Sequence, residues 1–323
     1  MFDALDLCLE CKGCKLDCDS GVDMAKLKYE FLDHYFQVNG LPFRNKIFGH
    51  INRINRLGSR FAPFSNWASN NPIGKFFAGA ILGVHSDRSF PTFARETLPK
   101  WFAGRKIPLS SPLVNEETVT VTATDTVVLF NDTFMNYNYP QVGKAAVELL
   151  EAAGLNVVLA NGGCCGRPMI SKGMLDEASA HARETVDLLY PYAEQGIPII
   201  GCEPSCLLTF RDEYPELVKN EKSAKVAENS YMIDEFLTML AEKEELKLRF
   251  KDTGKKILFH GHCHQKSLVG TDSSLAALRL PPGNQVELIN AGCCGMAGSF
   301  GFEKEHYQVS MDIGEYALFP AVN

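Results

Sequence analysis

The chain has 323 residues and a formal net charge of -7, with 46% hydrophobic and 22% charged residues. That balance describes a globular chain long enough for a large buried core, and its acidic excess argues against nucleic acid as the main partner. The best apolar run, "FFAGAILGV" at residues 76–84, is far too short to span a membrane, and the acidic, cysteine-rich start is not a secretory signal.

"CLECKGCKLDC" places Cys8, Cys11, Cys14 and Cys18 in a C-x2-C-x2-C-x3-C run. This is an iron–sulfur spacing, although Asp19 stands where proline commonly follows. "VDMAKLKYEFLDHYFQVNG" follows with helical periodicity and ends at Gly40, a plausible C-cap. Residues 41–110 carry eleven Lys or Arg against Asp87 and Glu96, with many aromatics, Pro and Asn. They read as short helices that wrap or connect, either as a solvated connector or as a docking surface. "LSSPLVNEETVTVTATD" then reads as a loop with some extended character.

From Thr126 the pattern becomes α/β. "TVVLFN", "NVVLA" and "IPIIGC" read as buried strands, separated by the helices "PQVGKAAVELLEAAG" and "GMLDEASAHARETVDLLYPYAEQG". "SYMIDEFLTMLAEKEELKL" reads as a connecting helix. "KKILFHG" and "QVELINA" are two further strands around a short helix near Ser274–Leu280. Alternation of this kind implies mainly parallel sheets with helices on their faces.

The second stretch repeats the first in one register. Leu129-Phe130 aligns with Leu258-Phe259, Val157 with Val286, Asn161 with Asn290, and Cys164-Cys165-Gly166 with Cys293-Cys294-Gly295. Several matches at one offset, including a rare tripeptide, indicate an internal duplication. The first unit has Cys202 and Cys206, whose counterparts would fall beyond Asn323. The second has Cys263, whose counterpart in the first unit is Phe134. The expectation is a chain that continues past both ends, with another cysteine run upstream and one more cysteine soon after Asn323.

The eleven cysteines fall in tight groups in a large chain, which favours metal or redox chemistry over a disulfide framework. Thiolates suit iron–sulfur clusters, and the opening run lacks the long loop that joins two zinc half-sites. Adjacent cysteines can serve different irons of one cluster. The plainer reading of Cys164-Cys165 is a pair of small buried residues. "FHGHCHQK" surrounds Cys263 with His260, His262 and His264, as ligands, proton carriers or the lining of a polar loop. Cys206, at an expected helix start, ranks above Cys202, which ends an apolar strand. "GGCCG" and "GMAGSFG" do not form a nucleotide-binding loop.

Taken with "FNDTFMNYNYP", "CCGRPMISKGML", "EPSCLLTFRDEY" and "HGHCHQK…GCCGMAGSFGFEKEHY", these motifs resemble the CCG-domain iron–sulfur oxidoreductases over nearly the whole chain. The likeness is greatest to the C-terminal part of fused FAD-linked oxidases. It implies an α/β fold: a small helical ferredoxin-like N-terminal segment (1–40), a basic helical connector (41–120) and two duplicated Rossmann-like CCG units (121–225 and 226–323). It implies [4Fe–4S] ligation by Cys8, Cys11, Cys14, Cys18, Cys164, Cys165, Cys206, Cys263, Cys293 and Cys294, with Cys202 ranked lower. It also implies FAD in an upstream domain or subunit, oxidation of a 2-hydroxy acid there, and electron transfer to a downstream quinone, cytochrome or other acceptor. The expected location is the cytoplasm, with peripheral association at the inner face of the membrane. A thiol or disulfide reductase whose cluster does the chemistry is the alternative, and a zinc or interaction module is the third reading.

Overall fold

The computed structural model describes residues 1–105 and 125–323. The loop reading of residues 109–124 and the last part of the basic connector lie outside them.

A four-stranded parallel sheet forms the centre. Its strands are β1 (Thr126–Leu129), β2 (Asn156–Leu159), β3 (Ile199–Gly201) and β4 (Ser230–Met232), in the order β2-β1-β3-β4. The continuous apolar runs follow from burial on both faces. Val128, Phe130 and Ile199 point into one core layer, with Ala182, Val186 and Leu189 of the helix Leu175–Glu194. Val127, Leu129 and Ile200 point into the other, with Ala146, Val147 and Leu150 of the helix Pro140–Ala152 and Phe236 of the helix Ile233–Glu242.

β4 corrects one expectation. Ser230–Met232 is not the start of a helix but a strand paired with β3, and the helix occupies only Ile233–Glu242. The sheet edge offers hydrogen bonds that outweigh the helical pattern of three residues.

A second sheet has two parallel strands, β5 (Lys256–Phe259) and β6 (Gln285–Leu288). Lys256, Leu258, Gln285 and Glu287 on one face of it are exposed. The helix Asp272–Arg279 lies between these strands in sequence and packs against the helix Ile233–Glu242. Asp234 of the latter accepts hydrogen bonds from Gln265 at 2.9 Å and from Ser274.

The N-terminal helix is Met24–Asn39. The Asp23 carboxylate caps it, accepting from the amides of Ala25 and Lys26 at 3.0 and 3.2 Å. It ends at Gly40, whose positive φ of 82° closes the helix as expected. Ala25, Tyr29, Leu32 and Phe36 recur at helical spacing and form its buried stripe. The basic region folds as the helices Phe43–Gly49, Ile51–Arg60, Phe64–Asn70, Pro72–Leu82 and Leu98–Gly104. Polar bonds tie it to the body. Asn55 donates to Asn138 at 2.8 Å, and Arg88 donates to the Gly301 carbonyl at 2.7 Å.

Candidate metal centre

Both Cys-Cys-Gly tripeptides follow the second strand of a parallel pair, at the carboxyl edge where α/β sheets gather ligands. Both glycines are left-handed, with φ of 75° at Gly166 and 84° at Gly295. In each tripeptide the glycine amide donates back to the first cysteine's sulfur, at 3.4 Å to Cys164 and 3.3 Å to Cys293. The third residue is glycine because this turn needs a positive φ.

In the first unit Cys164 and Cys165 are buried, and Cys165 Sγ lies 3.0 Å from Cys206 Sγ. Cys206 sits in the first turn of the helix Pro204–Asp212, which Glu203 caps. Cys202 is separated from them by the sheet: it packs into the layer of Val127 and Leu129, whereas Cys165 and Cys206 belong to the layer of Val128. Burial, with the nearby Asp132 carboxylate, pushes the Cys202 thiol up to about 12.

Sequence spacing does not reveal the groups around Cys164. His181, on the long helix Leu175–Glu194, hydrogen-bonds its thiol, and the ring Nε2 lies 3.0 Å from its carbonyl oxygen. The Thr133 hydroxyl donates to the neighbouring Gly163 carbonyl at 2.7 Å. Burial raises the Cys164 pKa, but the bonds from His181 and the Gly166 amide outweigh it and hold the thiol below its ordinary value. No motif marks His181, because its place follows from helix phase alone.

Where the second unit has Cys263, the first has "NDTF". Asn131 there accepts from the Asn161 amide at 3.2 Å. Asp132 caps the helix Thr133–Tyr137, accepting from Phe134 and Met135 amides at 2.8 and 3.0 Å, and burial pushes its carboxyl up to about 6.

In the second unit Cys293 lies beside both Cys263 and Cys294, and the thiols shift one another's pKa. Cys293 and the Lys266 ammonium hold the Cys263 thiol low. Lys266 donates to the carbonyls of Ala291 and Gly292 at 2.7 and 2.5 Å, which fixes it beside the tripeptide. The chain leaves β5 at Phe259, so none of the three histidines is on the strand. They lie in the following loop and helix start. His260 Nε2 is 3.2 Å from the Gly292 carbonyl, and His262 Nε2 is 3.2 Å from Ser205 Oγ. Buried His264 donates to the Glu10 carbonyl at 2.8 Å, and burial pushes its pKa down to about 2.

The opening run lies against both units. Glu10 and Lys12 adopt left-handed backbone conformations, with φ of 53° and 60°, and the helix Gly13–Asp17 follows. Lys12 is fully buried among Asp23, Asp212 and Glu213. Arg167, directly after the first tripeptide, pairs with Glu213 and, at 3.2 Å, with Glu10. On the other side Ser267 donates to the Cys11 carbonyl at 3.0 Å, one helical turn from Cys263. Cys14 Sγ accepts from the Met24 amide at 3.3 Å. Burial pushes the Cys8 thiol up, while the amides of Val22 and Ser20 hold the Cys18 thiol low.

Among the described residues no three His, Cys, Asp or Glu surround a single ion position. The donor set is thiol-rich, with backbone amides on sulfur and fixed cations nearby, and this suits a polynuclear iron–sulfur group.

A family model described as "Cysteine-rich domain" (CCG) matches residues 128–211. One subunit of the anaerobic glycerol-3-phosphate dehydrogenase of Escherichia coli is 29% identical over 84% of this chain and 66% of its own length. The D-2-hydroxyglutarate dehydrogenase of the same organism is 26% identical over 99% of this chain but only 31% of its own length. Lactate utilization protein A of Anoxybacillus flavithermus is 30% identical over 54% of this chain and 74% of its own length. The chain thus spans just under two thirds of the first relative and less than a third of the second. No solved structure matches it.

Proposed function

This chain belongs to the cysteine-rich CCG-domain oxidoreductases, and we propose that within them it is the iron–sulfur electron-transfer portion of a flavin-linked 2-hydroxy acid dehydrogenase. The observation that carries this reading is the clamped position of the opening run. On one side its Glu10 and Lys12 side chains form ion pairs with Arg167 and Glu213 beside the first thiol group, and on the other its Glu10 and Cys11 carbonyls accept from His264 and Ser267 beside the second. The opening run is thereby tied to the surroundings of both other sets of cysteines.

In this reading Cys8, Cys11, Cys14 and Cys18 are ligands of a ferredoxin-type segment. Cys164, Cys165 and Cys206 serve the first of two Rossmann-like units, and Cys263, Cys293 and Cys294 the second. Bound there, [4Fe–4S] clusters supply one-electron acceptance and donation. The chain's own residues set the surroundings. His181 and the Gly166 amide stabilise the Cys164 thiolate, and Lys266 stabilises that of Cys263. Burial excludes water from Cys164 and Cys165.

The names of the relatives support a dehydrogenase acting on a hydroxy compound. A flavoprotein domain or subunit would deliver the electrons, and a quinone or cytochrome would receive them. The proposed location is the cytoplasmic face of a membrane; among the described residues no helix is long and apolar enough to cross one.

The test is anaerobic purification with iron, zinc and acid-labile sulfide analysis and electron paramagnetic resonance. Iron and sulfide with a reducible cluster signal are expected. Stoichiometric zinc without sulfide overturns the reading. Disulfide reduction without hydroxy acid turnover by the complete protein favours the reductase alternative.

A further inference from the structure

The stretch 51–82 of the basic region is folded with its polarity reversed. Its inward bonds are polar: Asn55 to Asn138, Ser59 to the Ala94 carbonyl, and the Asn66 amide group to both backbone groups of Phe93 at 2.7 and 2.8 Å. Its outward residues are large and apolar. Phe64, Trp67, Ile73, Phe76, Phe77 and Ile81 are each between 55% and 70% exposed, and no residue of the helix Pro72–Leu82 is buried. Single exposed apolar side chains are ordinary, but six on two consecutive helices that pack on each other mark an interaction surface.

Charge identifies what covers it. Residues 41–86 hold six Lys or Arg and no Asp or Glu, in a chain whose net charge is -7. Arg53, Arg56 and Arg60 are exposed on the adjoining helix Ile51–Arg60. A protein partner is matched by both signs placed pair by pair. A stretch with bases and no acids of its own beside aromatic side chains matches a diffuse negative surface with an apolar layer beneath it. At 11 residues the helix Pro72–Leu82 cannot cross a bilayer but can lie in its interface.

We propose that the helices Phe64–Asn70 and Pro72–Leu82 seat the protein on an anionic phospholipid surface, with Arg53, Arg56 and Arg60 against the headgroups. This rests on the membrane-face location proposed above and adds the surface and the lipid charge.

The experiment is flotation of the full chain with phosphatidylcholine vesicles, with and without phosphatidylglycerol. Flotation is expected only with phosphatidylglycerol present, and it weakens as salt is raised. Replacing the three arginines together by Gln should lower partitioning on the order of 100-fold. The combined Phe64→Ser, Trp67→Ser and Phe76→Ser variant should lower it about tenfold or more. All six side chains are exposed, so circular dichroism should match the parent. Three results overturn the proposal: no flotation with phosphatidylglycerol vesicles, unchanged flotation of either variant, or a dimer that only the apolar variant disperses, which assigns the face to a second copy. Flotation needs no turnover, so its failure leaves the electron-transfer reading standing. Absence of iron and sulfide would remove that reading and leave flotation as its own result.

Discussion

The two Cys-Cys-Gly units carry the same turn but are held in different ways. The first sits on a four-stranded sheet sealed on both faces, and the second on a two-stranded sheet with Leu258 50% exposed. The opening run is fastened to the first by buried ions and to the second by neutral hydrogen bonds. The same tripeptide thus sits beside a buried ion lattice in one unit, and in the other on a thinner sheet whose ties to the opening run are neutral. The turn is a local property, whereas its support comes from the rest of the chain.

The largest test of this contrast is Arg167→Met. It leaves Glu10 and Glu213 buried without their guanidinium, at a cost of roughly 3–5 kcal/mol in chemical denaturation. A loss under about 1 kcal/mol would mean that the ion lattice does not hold the first interface.

Next comes a matched pair in the sheets. Leu129→Ala opens a cavity in a closed layer and should cost about 2–5 kcal/mol. Leu258→Ala, half exposed, should cost less than about 1 kcal/mol. Equal costs would erase the distinction between the sheets.

Acid should loosen the first interface before the second. Burial raises the Asp212 pKa, but Lys12, Lys15 and Lys26 outweigh it and hold the carboxyl well below the usual carboxylate range. Its folded pKa is depressed, so its stabilisation is present above an unfolded pKa of about 4 and is lost as pH falls toward the folded value. Asp212→Asn should therefore cost about 2–3 kcal/mol at neutral pH, with the difference shrinking below about pH 4. His264 stays neutral down to about pH 2, so above that its bond to Glu10 does not change. Hydrogen exchange across residues 8–18 against pH would show the order, and a pH-independent cost of the variant would contradict it.

The smallest test compares the two glycines. Gly166→Ala forces a left-handed alanine and should cost about 1–2 kcal/mol. Gly295→Ala adds a Cβ 2.1 Å from the Ser310 carbonyl oxygen and should cost more. Thermal melts of the pair would reverse that order if the second turn were free to shift.

Much of this is legible along the chain. The strand runs of the first unit, the helix ended by Gly40 and the short basic helices all appear in the structure. The start of the connecting helix is not legible, because a three-residue strand at Ser230–Met232 has too little length for a period to show. The histidines around Cys263 look alternating in sequence, but the end of β5 at Phe259 depends on where β6 stops pairing.

By itself the sequence determined the grouping of the cysteines, the glycine that each Cys-Cys turn requires, and the alternation that makes a parallel sheet. These follow from chemistry within a few residues, so they can be read in order along the chain. Only the tertiary structure decided that Cys202 and Cys206 lie on opposite faces of one sheet, that His181 meets Cys164, and that Lys12 and Arg167 share a buried ion lattice. Only it showed Asn55 and Asn66 turned inward while the aromatics of the helices Phe64–Asn70 and Pro72–Leu82 face outward. Each of these depends on which side chains from distant parts of the chain share a space from which water is excluded, and spacing along the chain carries no record of that.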